Sequence, residues 1–431
     1  MGDFNDVRCA SERMNSEFIE ANAEAFNQFI LSAGLVEYNM GGGNFTYISD
    51  NGRKLSKLNP FFVCLGFKEQ WPNASVTALD RIASDHRPIV LSTVQSDFGH
   101  IRFRFFNSWF EYPSFMEYML QKCAVFSFSG PDDLALAIKL RWLKDKINAW
   151  LKVEKMSREG IYEDKKRRLA CIENMAEERM LMEVELAERA DCKNVVAEFD
   201  RIKQLDLRQK SRSRWAIDGD ENSVFFHHII NSNISSNRLN GLLIDGVWVT
   251  NPVSVKESLY EFFLKQFSEP MPNRPELICT NLSKISVSEA SMLEQPFSVE
   301  EIKDAVWECD GDRAPGPDGF NFKFIKKCWS GLQVDIVKMF NTFFEEGSLN
   351  KSCTSSFIAL IPKVKDPSSP VDFRPISLIG VINKIISKVL VNRLKRVLGK
   401  LISEHQSAFF TGRNIMDGPL VLNEVFGWLK K

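Results

Sequence analysis

Residues 132–215 place the tightest limit on what this chain can fold into. Leu143, Ile147, Trp150 and Leu151 recur at helical spacing. Between Arg141 and Arg214 stand 19 basic and 15 acidic residues in 74. An apolar stripe inside so dense a mixture of charge predicts long helices with solvated faces. No heptad is sustained, so the block does not read as a coiled coil. It divides a chain of 431 residues into a mixed segment before it and another after it. At roughly 100–200 residues per domain, that length allows several domains.

Four parts follow. Residues 1–97 read as mixed α/β. Phe18, Ile19, Phe26, Phe29 and Ile30 have helical spacing and Gly34 stops them, whereas 45–48, 60–63 and 88–91 read as strands. Residues 98–215 are an aromatic linker leading into the charged helices. Residues 216–295 form a connector, in which Asp245-Gly246 between apolar runs predicts a hairpin and 253–267 a helix. Residues 296–431 make the fourth part. Ser298 and Glu301 predict a capping box there, and Ala314-Pro315-Gly316-Pro317-Asp318-Gly319 breaks regular structure. The fold class expected is a multidomain mixture of α/β and α+β.

Composition narrows the partners. The net charge is -1, yet residues 351–431 carry 13 Lys/Arg against 5 Asp/Glu. Residues 201–214 hold Arg201, Lys203, Arg208, Lys210, Arg212 and Arg214 against Asp206 alone. Two basic regions on a neutral chain suggest a polyanionic partner; a solvated surface is the other reading. The 34 Phe imply much buried aromatic surface. Nine Cys without a Cys-x-x-Cys pair fit a reducing, intracellular compartment with mostly buried thiols. No run of about 18 apolar residues exists, so no membrane span is expected. The first residues have neither the basic head nor the apolar core of a signal peptide.

Two motifs near the N-terminus carry chemistry: Gly2-Asp3-Phe4-Asn5 and Ser84-Asp85-His86. An Asp beside a His orients the imidazole and makes it a better general base. With Phe45-Thr46-Tyr47-Ile48 and Ser56-Lys57-Leu58-Asn59 between them, the order resembles the C-terminal half of the endonuclease/exonuclease/phosphatase family, in its retrotransposon branch. The resemblance implies part of a four-layer α/β sandwich. It implies Asp3 and Asn5 at the scissile phosphate of DNA, His86 as general base with Asp85 as its partner, Thr46 in contact with DNA, and Mg²⁺ as cofactor. The family has Asp where this sequence reads Asn59. Its metal-binding Glu precedes Gly-Asp-Phe-Asn, so an incomplete metal site is expected.

The C-terminal motifs are longer. Two strand-like stretches around Leu360 and Phe373 flank a loop with Lys363, Lys365 and Arg374. Arg binds phosphate bidentately and Lys as a point charge, so the three suit a triphosphate or a nucleic-acid backbone; an exposed charged loop is the alternative. Residues 313–319 (Arg-Ala-Pro-Gly-Pro-Asp-Gly), 358–380 and 403–414 together resemble the fingers and early palm of reverse transcriptases from LINE-type, non-LTR retrotransposons, as in plants. The stretch Arg208-Gln209-Lys210-Ser211-Arg212 through Phe225-Phe226-His227-His228 is similar to the segment joining endonuclease to polymerase in these polyproteins.

The resemblance implies that Lys363 and Arg374 contact a deoxynucleoside triphosphate. It places Pro315, Gly316, Asp318, Gly319, Gln406, Gly412 and Arg413 on the template side. RNA and DNA are the implied partners, in the nucleus or a cytoplasmic ribonucleoprotein. The palm aspartates of the family are not matched: Asp417 stands in the wrong context and the one Asp-Asp is Asp132-Asp133. An incomplete polymerase site is therefore expected as well, and with both metal sites incomplete the chain itself is expected to be catalytically inactive. A non-catalytic nucleic-acid-binding protein and an unselected remnant with an unpaired sheet edge stay open as alternatives.

Overall fold

A computed structural model describes residues 2–430 except 73, 80, 82–83, 94–98, 100–101, 213–222, 238, 270, 272, 275–281, 365, 404–405 and 407–411. The chain divides into two compact units. The first comprises 1–115, 148–270 and 357–378, and the second 116–147, 271–356 and 379–431.

The first unit begins with small sheets. Strand Met40–Gly42 runs parallel to Ser75–Ala78, which pairs antiparallel with Ile89–Ser92. Leu35–Glu37 pairs antiparallel with Phe62–Cys64. A third sheet orders Arg13–Met14, Leu55–Ser56 and Tyr47–Ile48 side by side. Helix Glu20–Ser32 ends at Ala33, and Gly34 turns the chain with a φ of 61°. Alternation along the strands sends Met40, Val63, Val76 and Ala78 into one core with Tyr38 and Ala74. Gly42 is forced by geometry: its φ is 87°, and a Cβ there would strike the carbonyl oxygen of Ala78.

The charged block forms two helices, Asp132–Glu178 and Glu183–Ser211. Within the first unit they run antiparallel, laced by Lys165–Asp191 (2.6 Å), Arg168–Glu188 (2.7 Å) and Arg189–Glu173 (2.7 Å). These pairs are solvated, so each contributes little to stability. What fastens the hairpin of helices is aromatic. Phe105 and Phe115 are fully buried, and Phe115 meets Trp150 at 5.1 Å between ring centres. The aromatic linker thus supplies a core.

The connector folds as its turn chemistry predicts. Strands Leu242–Ile244 and Val247–Val249 flank Asp245 and Gly246, whose φ angles are 49° and 80°. Helix Pro252–Phe267 follows, capped by the Asn251 side chain at the N–H of Val253. Its Val255, Leu259 and Phe263 pack with Leu242 and with Phe373 and Leu360 of a later hairpin, strands Ser356–Pro362 and Phe373–Ile379.

The second unit is helical. Helices Val299–Glu308, Phe322–Lys327, Trp329–Glu346 and Val381–Leu401 bury Ile302, Val306, Phe324, Leu332, Ile336, Met339, Phe340, Ile385 and Val389. Ser298 caps its helix as expected, accepting from Glu301 N at 3.1 Å. The Glu301 carboxylate does not return the bond, because buried Arg393 takes it at 2.7 and 2.8 Å. A reciprocal box forms instead at Ser286 and Glu289. Lys388 pairs with Glu308 and Lys400 with Glu289, so cations of the basic C-terminal region are spent inside the unit. Of the described cysteines, Cys123, Cys192, Cys328 and Cys353 are buried, whereas Cys9, Cys64 and Cys171 are exposed.

Glu289 gives a pH prediction. Lys400 first, then the N–H and hydroxyl of Ser286, hold its carboxyl down from 4.5 to about 2. A depressed carboxyl contributes stability above its unfolded value and loses it as pH falls through the folded one. The urea midpoint of the wild type should therefore fall between pH 4.5 and about 2 more steeply than that of Glu289→Gln. Parallel curves would refute the pairing.

Candidate functional site

The N-terminal motifs converge on His86. Tyr47 forms an antiparallel bridge with it and lies at 5.1 Å between ring centres. Ile48 N donates to Asp85 O at 3.0 Å, and Arg87 N donates to Thr46 O at 2.7 Å, so the Ser-Asp-His turn is clamped to the Phe45–Ile48 segment on both sides. On one face of the imidazole, Nδ1 lies 2.6 Å from Asn59 Oδ1. On the other, Nε2 lies 3.7 Å from Asp3 Oδ2. With the amide oxygen as acceptor, Nδ1–H donates to Asn59 and Nε2 is turned toward Asp3.

Asp3 and Asn5 are joined: Asn5 N donates to Asp3 Oδ1 at 3.0 Å, with Asn5 held at a φ of 56°. Phe4 between them packs on Phe26 and Phe62, and its N–H donates to Leu58 O at 3.0 Å. That apolar anchor fixes the exposed motif on the sheet. Asp85 does not take the place beside the imidazole; its carboxylate accepts from Ser84 Oγ at 3.2 Å. Asn59 stands there instead, because Asn59 N donates to Thr46 Oγ1 at 3.1 Å and turns its side chain to the ring. Thr46 itself is 0 % exposed, so it acts through Asn59 and its other neighbours.

Two residues before Asn59, Lys57 centres a charge cluster that no sequence pattern announced. The Lys57 side chain is 5 % exposed. Its ammonium lies 2.9 Å from Glu37, 3.1 Å from Asp366 and 3.7 Å from Glu12. Burial alone would lower its pKa, but Asp366 and then Glu37 overcome that and raise it. Arg8 NH1 adds a second cation on Glu37 at 2.7 Å.

Beside His86 stands the Asp3 carboxylate, with neutral Asn5 and Asn59. Among the described residues no group of three His, Cys, Asp or Glu side chains is arranged to hold a metal ion. The residues described here do not make a magnesium cage.

The C-terminal motifs occupy both units. In the first, Phe373 points into the core, so alternation turns Arg374 outward, exposed and without an ion pair among the described residues. Lys363 is also exposed, its Nζ donating to Val371 O at 2.7 Å. Asp372 stiffens the intervening loop by accepting from Ser368 N and Ser369 N at 3.0 and 2.9 Å. Lys365 lies outside the described residues.

In the second unit, Asp318 accepts from Val381 N at 2.5 Å and Phe320 N at 3.1 Å. It thereby caps helix Val381–Leu401, whose own N-cap residue, Gly380, offers no side chain. Burial raises its pKa, opposed by those amides. Gly316 is forced: a Cβ there would strike the carbonyl oxygen of Ile379. Gly319, with a φ of 80°, and Pro315 shape the same loop. Lys384 Nζ closes it on Ala314 O at 3.0 Å. Arg413 NH1 bonds Ser403 O and Gln406 O at 2.7 Å each, and Gly412 has a φ of 83°.

No protein-family model matches the chain. It is 26% identical over 241 residues to the Transposon TX1 uncharacterized 149 kDa protein of Xenopus laevis, covering 54% of this chain and 18% of that protein. It is 24% identical over 131 residues to the retrovirus-related Pol polyprotein from type-1 retrotransposable element R1 of Bradysia coprophila, covering 30% and 13%. It is 25% identical over 142 residues to the RNA-directed DNA polymerase from mobile element jockey of Drosophila melanogaster, covering 32% and 16%. The chain is a relative of LINE-type, non-LTR retrotransposon polyproteins. It spans less than a fifth of the length of each of these three relatives. No helix among the described residues is long and apolar enough to cross a membrane.

Proposed function

We propose that this chain is part of a non-LTR retrotransposon polyprotein that nicks DNA and carries out RNA-directed DNA synthesis, with the His86 site belonging to the first act and the segment that carries Arg374 binding triphosphate for the second. The observation that carries the first is the imidazole held between Asn59 and Asp3. Its Nε2 is placed to draw a proton from an attacking water, while Asp3 and Asn5 line the approach. The His86 side chain is 28% exposed, enough for a phosphodiester to reach it. The neutral Asn59 fixes the tautomer but does not stabilise the imidazolium as a carboxylate would. Supercoiled DNA incubated with the full chain should show residual nicking, and His86→Ala should slow that nicking about 10²–10⁴-fold. Equal rates for the two proteins, or an inert wild type, would sink this reading.

The second act rests on the exposed Arg374 beside Lys363 on a hairpin whose other face is anchored in a core. A guanidinium without a carboxylate partner is free to fork onto phosphate oxygens. Arg374→Ala should weaken binding of a fluorescent deoxynucleoside triphosphate about 10-fold or more, the scale of one charge-assisted hydrogen bond. Unchanged affinity removes Arg374 from the clamp.

A further inference from the structure

The loop between strands Ser356–Pro362 and Phe373–Ile379 sends one side chain into the sheets of the first unit. Asp366, with a φ of 55°, divides its carboxylate between two partners. Oδ1 accepts from Met40 N at 2.7 Å, and Oδ2 meets Lys57 Nζ at 3.1 Å. Two residues beyond Lys57 is Asn59, the partner of His86.

The backbone between them is stitched at every step. Lys57 N donates to Glu12 O, Thr46 N to Ser56 O, Phe4 N to Leu58 O and Asn59 N to Thr46 Oγ1. Lys57 and Asn59 thus belong to one hydrogen-bonded segment, the route by which a displacement of Lys57 would reach Asn59. The other two carboxylates near Lys57 are shared. Glu37 also holds Arg8 NH1 at 2.7 Å, and Glu12 Oε2 accepts from Arg8 N at 2.8 Å while its other oxygen is 3.7 Å from Lys57. Glu37 is thus shared with a second cation; Asp366 and Glu12 each divide their carboxylate between Lys57 and a neutral backbone amide, and Asp366 is the nearer to the ammonium, at 3.1 against 3.7 Å. It also ties strand Met40–Gly42 to the segment that bears Asn59.

We propose that Asp366 is a positioning residue for His86. The hairpin that bears Lys363 and Arg374 holds the imidazole tautomer of the nicking site through Lys57 and Asn59. Phosphate recognition on the hairpin and proton transfer at His86 then share one mechanical element. The inference builds on the role assigned to His86, but its test reads the ring rather than turnover, so an inert wild type would not decide it.

The test is ¹⁵N imidazole NMR on the full chain, whose five histidines make the spectrum tractable. His86 is assigned by His86→Gln and read with its ring neutral. The wild type should show the Nδ1-protonated tautomer in excess. Asn59→Ala should lower that excess about five-fold, the effect of one neutral hydrogen bond. Asp366→Ala should move the His86 signals in the same direction, and Asp366→Asn, which keeps the Met40 bond, should move them less. A variant that melts earlier yet leaves the His86 signals in place would show a structural role only and overturn the proposal. If Asp366→Ala does not fold, Asp366→Asn decides: a shift supports the assignment, and unmoved signals overturn it.

Discussion

Lys57→Met should destabilise the first unit by about 3–5 kcal/mol, the cost of removing one partner from a buried ion cluster. The wild-type cluster sets Lys57 and Arg8 against Glu12, Glu37 and Asp366. Met matches the length of the Lys stem, so packing is kept. What is lost is the ammonium that three carboxylates face, and they repel one another at low dielectric. Pairing Lys57→Met with Glu37→Gln and Asp366→Asn should recover much of the loss, because the repulsion goes with the charges. The raised pKa of Lys57 fixes the pH window. A raised folded value means its contribution is fully present below the ordinary 10.5 and is lost as pH rises through the folded value. Hydrogen exchange over Leu35–Glu37 and Ser75–Ala78 reads the effect. A single variant within about 0.5 kcal/mol of wild type, the range of an ordinary surface change, would refute the cluster.

Arg393→Lys should cost the second unit nearly as much as Arg393→Met, about 3 kcal/mol or more. Arg393 is 6% exposed. Its Nε and NH2 fork onto Glu301, and its remaining donors reach Leu293 O at 2.9 Å, Gln295 O at 2.5 Å and Pro296 O at 3.0 Å. The guanidinium also lies 4.2 Å from the centre of the Phe297 ring. One planar group thus gathers the turn before helix Val299–Glu308 and fastens it to helix Val381–Leu401. A lysine has the charge but not the fork, and would leave buried carbonyls without donors. Urea unfolding and exchange protection over both helices measure the loss. A lysine variant as stable as wild type would show that charge alone suffices.

The two cases differ in how legible they were. Arg393 falls on the stripe Val381, Ile385, Val389, Arg393, Val397, and every member of it is buried. A lone arginine in an otherwise apolar four-residue spacing is a signal that the sequence offers. Lys57 offers none, because one of its partners, Asp366, lies 309 residues away and the nearest, Glu37, lies on strand Leu35–Glu37. Likewise Asp85 is the nearest carboxylate to His86 along the chain, and adjacency favoured it. The turn that presents His86 instead aims the ring at Asn59, 27 residues earlier.

Local chemistry was written in the sequence. The apolar stripe and mixed charge gave the helices Asp132–Glu178 and Glu183–Ser211, since periodicity tells which face stays wet. Asp245-Gly246 gave its hairpin, since the turn demands positive φ at both residues. Tertiary structure alone decided which distant groups meet. It set the hairpin at 357–378 within the unit that also holds 1–115, buried Lys57 among carboxylates, and turned Asp318 from a loop residue into a helix cap. The reason is physical. A side chain's own neighbours fix its backbone and its exposed face, but desolvation and ion pairing depend on whatever the fold brings alongside, and that is not encoded at any one position.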